Sequence, residues 1–312
     1  MPENISGAMP GNMTGKKKLS GIFAPITSPF DREGNISLDQ LGANVDRYRG
    51  TGLSGFLVLG SNGENKSLNF KEKQQVLGCV IAHKAPEQLV MAGSIFESTG
   101  ETIEFAHLAV EAGADFITLL APSYFKSAMT DAILLKYFSD AAGAAGRPCL
   151  IYKAPQFSGG VDLSLNLIKE LAAHPNIAGI KDSSPSGIEK ILFSVPGDFA
   201  VFSGSANTFF PAMLCGAAGG VLSIADYLPG HAVHLFKLLE KGALAEAAVL
   251  NRGILESNMA ISGAAGVSGV KAAMDITGYH GGFPRLPLLP ADAGTREKIK
   301  QTIEKLLRDF PL

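Results

Sequence analysis

The sequence predicts one α/β unit, a closed parallel (β/α)8 barrel carrying a C-terminal helical extension. Three observations predict it. From Leu19 onward, eight short apolar runs alternate with eight amphipathic or alanine-rich stretches, and regular alternation of this kind favours a closed parallel barrel over an open sheet. Helix-to-strand returns pass through glycine, as in Glu111-Ala112-Gly113-Ala114-Asp115 and Cys215-Gly216-Ala217-Ala218-Gly219-Gly220, where a left-handed residue ends a helix. The 312 residues, 46% hydrophobic, suffice for one barrel of about 250 residues with additions.

Strands are expected at Gly21–Ile26, Gly55–Leu59, Leu89–Ala92, Phe116–Leu120, Cys149–Tyr152, Ile177–Ile180, Ala200–Phe202 and Gly220–Ser223. Short apolar runs bounded by glycine or polar residues suit strands buried on both faces. Helices are expected near Leu38–Arg49, Phe70–His83, Glu101–Glu111, Asp131–Ala145, Leu163–His174, Ser186–Val195, Thr208–Cys215 and His231–Glu240. Ser37 is placed to cap the first of these and Thr99 the third. Three further helices, Leu244–Met259, Gly269–Asp275 and Thr295–Arg308, follow the eighth unit, with a Gly/Pro-rich connection over Gly278–Pro290. The expected division is a disordered leader over residues 1–18, a catalytic barrel over 19–242 and a helical appendage over 243–312.

Bulk properties exclude several classes. With 27 basic and 29 acidic side chains the net charge is −2, so no electrostatic footprint for nucleic acid or an anionic membrane is present. No apolar run approaches the roughly 18 residues of a membrane span. The three cysteines, Cys79, Cys149 and Cys215, are odd in number and far apart, which points to a reducing compartment, the cytoplasm. The leader ends Lys16-Lys17-Lys18, has no apolar core for a signal peptide, and lacks the arginine typical of a mitochondrial presequence. The sequons Asn4-Ile5-Ser6 and Asn65-Lys66-Ser67 are chance occurrences without secretion.

In a barrel, function belongs at the C-terminal ends of strands. Strand six ends Gly179-Ile180-Lys181-Asp182-Ser183-Ser184. The two-residue period puts Lys181 and Ser183 on one face and Ile180 and Asp182 on the other. A half-desolvated amine loses preference for its charged form, and a neutral amine attacks ketones. The other reading is a lysine snorkelling from the rim. Strand two ends Leu59-Gly60-Ser61-Asn62-Gly63-Glu64, a turn whose N–H groups, hydroxyl and amide suit a carboxylate, or else an ordinary Asn-Gly turn. Strand five ends Tyr152-Lys153-Ala154-Pro155. Tyr152 shares the inward face of Leu150, as a proton relay or as a core tyrosine. Strand four ends near Ser123-Tyr124, and strand seven at Ser203-Gly204-Ser205, small enough to admit a ligand.

Other chemistries fit less well. None of the six histidines, His83, His107, His174, His231, His234 and His280, falls at a strand end, where a metal-dependent aldolase would need them. Neither G-x-S-x-G nor a phosphate-binding G-x-x-x-x-G-K-[ST] loop occurs.

Taken in order, Ala24-Pro25-Ile26-Thr27-Ser28-Pro29-Phe30, Gly60-Ser61-Asn62-Gly63-Glu64, Pro122-Ser123-Tyr124, Tyr152-Lys153-Ala154-Pro155, Gly179-Ile180-Lys181-Asp182-Ser183-Ser184 and Gly204-Ser205 resemble the dihydrodipicolinate synthase/N-acetylneuraminate lyase family. The resemblance runs from Leu19 to the C-terminus. It implies a TIM barrel and a class I, Schiff-base aldolase or lyase that uses no cofactor and no metal. It implies that Lys181 forms the Schiff base with pyruvate or a pyruvate-containing 2-oxo acid and that Tyr152 shuttles protons. Ser61 and Asn62 are implied to hold the carboxylate, with Ser61 also in the relay. Tyr124 would complete that relay across a subunit interface, and Gly204 and Leu222 would line the pocket, with Ser183 beside Lys181. The family's usual assembly implies a homotetramer or homodimer.

Two departures shape the substrate. Family members that condense pyruvate with aspartate semialdehyde carry Thr-Thr where this chain has Ser61-Asn62, and an arginine where it has Phe157. A phenyl ring cannot grip a carboxylate in two places. The pattern is more similar to 4-hydroxy-2-oxoglutarate and 2-keto-3-deoxy sugar acid aldolases, so a pyruvate-releasing lyase is expected. Dihydrodipicolinate synthase-like condensation is the alternative, and a non-catalytic 2-oxo acid binding protein is the alternative of another class.

Overall fold

The computed structural model describes residues 19–312, and the leader expected over residues 1–18 lies outside them. Eight parallel strands close in sequence order, β8 pairing with β1. They are β1 Gly21–Ala24, β2 Gly55–Val58, β3 Leu89–Ser94, β4 Phe116–Leu120, β5 Cys149–Lys153, β6 Ile177–Asp182, β7 Ala200–Ser203 and β8 Gly219–Val221. All eight overlap the expected runs, with ends that differ by up to two residues. The end of β6 is two residues later than expected, so Lys181 lies inside the strand.

The period of two sorts the strands into two packed layers. Phe23, Leu57, Leu89, Met91, Leu150, Phe202 and Val221 fill the barrel. Ile22, Phe56, Val58, Val90, Ile117, Ile151, Ile180 and Val201 face outward into the larger core beneath the helices. The interior is therefore solid, and the chemistry is left to the rim. At Gly179 a Cβ would lie 2.2 Å from the Ala200 carbonyl oxygen, so glycine permits the close approach of β6 to β7.

The helices are α1 Leu38–Tyr48, α2 Phe70–His83, α3 Thr99–Ala112, α4 Asp131–Ala144, α5 Leu165–Ala172, α6 Ile188–Leu192, α7 Ala206–Leu214, α8 Ile224–Tyr227, α9 Pro229–Glu240, α10 Leu244–Asn258, α11 Ala264–Ile276 and α12 Ala293–Asp309. Two expected caps are corrected. Ser37 stands at the N-cap of α1 but its side chain makes no capping bond. Thr99 lies already inside α3; Ser98, in extended backbone, caps it by accepting from the Glu101 N–H at 3.2 Å. Gly113 ends α3 at φ 108°, the left-handed return the sequence indicated.

The last three helices wrap back onto the barrel. Leu244–Met259 and Gly269–Asp275, expected as separate helices, join through a π-helical turn at Met259–Gly263 and a kink at Gly266 (φ 56°, ψ −143°). A glycine pair tolerates that distortion where other residues would not. Short α8 had no periodicity long enough to be seen. No helix of the described residues is long and apolar enough to cross a membrane.

Candidate active site

Four of the expected residues converge at the C-terminal mouth. Lys181 is 4% exposed, and its Nζ lies 4.1 Å from the centre of the Tyr152 ring. Register explains the pairing: Tyr152 and Lys181 are direct partners across β5 and β6. The Tyr152 hydroxyl meets Ser61 Oγ at 3.2 Å. Asn62 Nδ2 donates to Ser223 Oγ and to Asp226 Oδ2, each at 3.0 Å. One chain thus supplies an amine, a phenol, a hydroxyl and an amide from three segments: β6, β5 and the loop after β2.

The loop that carries Ser61 and Asn62 is strained and pinned. Leu59 and Glu64, its flanks, both adopt left-handed backbone, at φ 62° and 53°. Each such non-glycine residue costs roughly 1–3 kcal/mol. Fixed partners hold the loop there. Asn65 Nδ2 donates to the Leu59 carbonyl at 2.8 Å, and Ser28 Oγ to the Gly63 carbonyl at 2.9 Å. Glu64 Oε1 pairs with the buried Lys271 ammonium at 2.5 Å, while Glu64 Oε2 accepts from the Arg285 N–H at 2.8 Å. Preorganisation of this kind lets a loop present N–H and amide groups without reordering on binding.

On the opposite side, Gly204 makes room. A Cβ there would sit 2.0 Å from Ser183 Oγ and 3.0 Å from Lys181 Cε. The Gly204 N–H is committed to the Asp182 carbonyl at 2.7 Å, and the Leu222 N–H to Phe23 at 3.1 Å. Neither backbone N–H is therefore left for a ligand. Lys153 faces away from the mouth, 2.8 Å from Asp162 Oδ1, with Ser184 Oγ 2.5 Å away.

Tyr124 stands apart. It is 81% exposed, edge-on to Phe125, itself 70% exposed. Glu97 accepts its backbone N–H at 3.0 Å. Within one chain it joins neither Ser61 nor Tyr152.

Sequence reasoning missed Asp226 and Ser223, which follow β8. Asp226 is fully buried. Burial pushes its carboxyl up to about 8 against the opposing pull of the Asn62 hydrogen bond and the Lys181 charge. The strand-end rule that singled out Lys181 reaches Ser223 when applied to the eighth strand, whereas Asp226, inside the short helix that follows, carries no such local signal.

The chain as a whole has known counterparts. The family model described as the dihydrodipicolinate synthetase family matches residues 18–306. The chain belongs to that family. Dihydrodipicolinate synthetase family members are class I aldolases and lyases, and this chain is accordingly an enzyme of that kind. It is 31% identical over 290 residues to the 4-hydroxy-tetrahydrodipicolinate synthase of Methanoculleus marisnigri, covering 91% of this chain and 98% of the relative. It is 29% identical over 304 residues to an Emericella nidulans protein named "Probable 4-hydroxy-2-oxoglutarate aldolase, mitochondrial", covering 94% and 97%. A prophage protein of the same family from Escherichia coli, solved in complex with pyruvate, superposes with a TM-score of 0.85 at 27% identity, covering 92% of this chain and 98% of that one. Family membership sets aside the non-catalytic binder kept open by the sequence.

Proposed function

We propose that this family member is a retro-aldol lyase that holds a 2-oxo acid as a Schiff base on Lys181 and releases pyruvate, its substrate a 4-hydroxy-2-oxo acid such as 4-hydroxy-2-oxoglutarate or a 2-keto-3-deoxy sugar acid. The observation that carries this reading is the stacking of the Lys181 ammonium over Tyr152, whose hydroxyl already rests on Ser61.

The chemistry follows from those positions. The neutral Lys181 amine adds to the C2 ketone, and loss of its oxygen as water leaves a cationic iminium, an electron sink. Tyr152 gives its phenolic proton to the departing carbinolamine oxygen, and the phenolate so formed, hydrogen-bonded to Ser61, takes the proton of the 4-hydroxyl and can later return it at C3. The C3–C4 electron pair moves towards the iminium nitrogen, giving an enamine and a free aldehyde. Protonation at C3 and hydrolysis return pyruvate and Lys181. Ser61 and Asn62 hold the substrate carboxylate throughout.

Phe157 favours cleavage of such acids over condensation with aspartate semialdehyde. It is half exposed and offers no charge, and its neighbour Gln156 is committed to the Ser183 carbonyl at 3.1 Å. The exposed Tyr124–Phe125 pair fits the subunit-interface role that a homodimer or homotetramer would give it. The cytoplasm fits the three free cysteines.

Borohydride reduction with pyruvate, followed by peptide mapping, tests the reading. A pyruvyl adduct on Lys181 together with pyruvate release from 4-hydroxy-2-oxo acids supports it. Faster condensation of pyruvate with aspartate semialdehyde would transfer the chain to the synthase activity, and an adduct with neither reaction would sink the lyase. Tyr152→Phe is expected to lower kcat by about a hundredfold or more while the adduct still forms. Unchanged turnover in that variant would remove Tyr152 from the proton path.

A further inference from the structure

One buried titratable group at the mouth has no part in the scheme above. Asp226 is 0% exposed. Its Oδ2 receives the Asn62 amide at 3.0 Å, and its Oδ1 has no hydrogen-bond partner among the described residues. An ionised carboxylate with one bare oxygen is costly in such a place, whereas an acid can carry its proton on that oxygen. Asn62 is also the residue assigned to the substrate's carboxylate. Both N–H groups of that side chain are already donated, to Asp226 and to Ser223, so a carboxylate held at Asn62 takes its backbone N–H, beside the bond to Asp226.

We infer that Asp226 is a proton-dependent gate on the carboxylate pocket: as a neutral acid it admits the 2-oxo acid's carboxylate at Asn62, and as an anion it repels it. The inference rests on the reading that Ser61 and Asn62 hold that carboxylate. Two anions held at one asparagine oppose each other's ionisation. With Asp226 neutral, the Lys181 cation and the substrate anion balance. With Asp226 ionised, the buried site holds one uncompensated negative charge.

The direction follows by linkage. A bound anion raises the Asp226 affinity for its proton, so binding takes up a proton wherever the free site has lost it. Affinity is full below the free-site transition, near 8, and falls by about tenfold for each pH unit above it, until the transition of the bound form is reached. Other groups face Asp226. The Tyr48 hydroxyl donates to its backbone carbonyl, and burial drives both Tyr48 and Tyr227 upward, away from this range. Lys181 contributes its charge from β6, and Ser223 shares the Asn62 amide. Lys271, reaching the same loop through Glu64, is brought by burial to about 8 as well. A transition in the native enzyme alone would therefore not single out Asp226.

Asp226→Asn separates these sources, since an asparagine oxygen still accepts from Asn62 but cannot ionise. Calorimetric titration with pyruvate from about pH 6.5 to about pH 9.5 should show the native affinity falling above the transition. In Asp226→Asn, whatever its absolute affinity, that fall should vanish. Matching profiles in the two proteins would overturn the inference. A second readout uses the native protein alone: near pH 8.5, pyruvate should increase the infrared band of a protonated carboxylic acid. Absence of that increase overturns the gate even if the variant fails to fold. Failure of the Schiff-base reading looks different, because no borohydride adduct would then form on Lys181 at any pH.

Discussion

Replacing Lys181 by alanine is expected to lower kcat for 2-oxo acid cleavage by about four orders of magnitude or more and to abolish the borohydride-fixed adduct. The size follows from the chemistry. Without the amine no iminium forms, and without an iminium the C3–C4 electrons have no sink. The result is also a test of geometry against titration. Burial brings Lys73 and Lys271 down to about 8, so selection by lowered pKa alone would nominate those two as nucleophiles. Neither is placed for it. Lys73 lies over the Phe96 ring at 4.1 Å. Lys271 is tied to Glu64 and to the Ser28 and Phe283 carbonyls at 2.8 and 2.7 Å. Lys153, next to Tyr152 in sequence, points to the outer side of β5 and is held by Asp162. Peptide mapping should therefore find the label on Lys181 alone in the native protein and nowhere in the variant. A label on Lys153 or Lys271, or cleavage that survives in Lys181→Ala, would refute the Schiff-base site.

The contrast between Lys181 and Asp226 shows what was legible in the sequence. Each β-strand is an apolar run that ends in polar or small residues, so both strand positions and mouth residues could be located from local pattern. Lys181, Tyr152, Ser61 and Asn62 all stand at such ends, and the inward period brought Tyr152 and Lys181 to the same face. Asp226 lies in Ser223-Ile224-Ala225-Asp226, a stretch that continues into a four-residue helix and reads locally as the start of a helix. Its importance comes from burial and from Asn62, both long-range facts. The Thr99 cap was misplaced by one residue because Ser98 and Thr99 have the same capping chemistry, and only backbone angles decide between them. The C-terminal helices are legible, but nothing local shows that one of them sends Lys271 to Glu64, at the end of the Gly60–Glu64 turn.

That ion pair yields the second large effect. Lys271→Met is expected to destabilise the fold by about 3–5 kcal/mol, the usual consequence of orphaning one member of a buried pair. Lys271 and Glu64 are both almost fully enclosed, and among the described residues the methionine would leave the Glu64 carboxylate with the Arg285 backbone N–H at 2.8 Å as its hydrogen-bond donor. The loss should reach the active site as well. Glu64 holds left-handed backbone at the end of the Gly60–Glu64 turn, and its anchor supports the strain that keeps Ser61 on Tyr152 and Asn62 on Asp226. Pyruvate affinity in Lys271→Met should fall by about tenfold, in keeping with ångström-scale misplacement of a binding loop, although Lys271 touches no substrate. The double variant Lys271→Met with Glu64→Gln separates charge from packing. Removing both charges should recover part of the lost stability, because a neutral pair in a buried site escapes the penalty of a lone ion. Strictly additive losses in chemical denaturation would show that the two side chains contribute independently, and the coupling of the C-terminal helices to the Gly60–Glu64 turn through this pair would have to be abandoned.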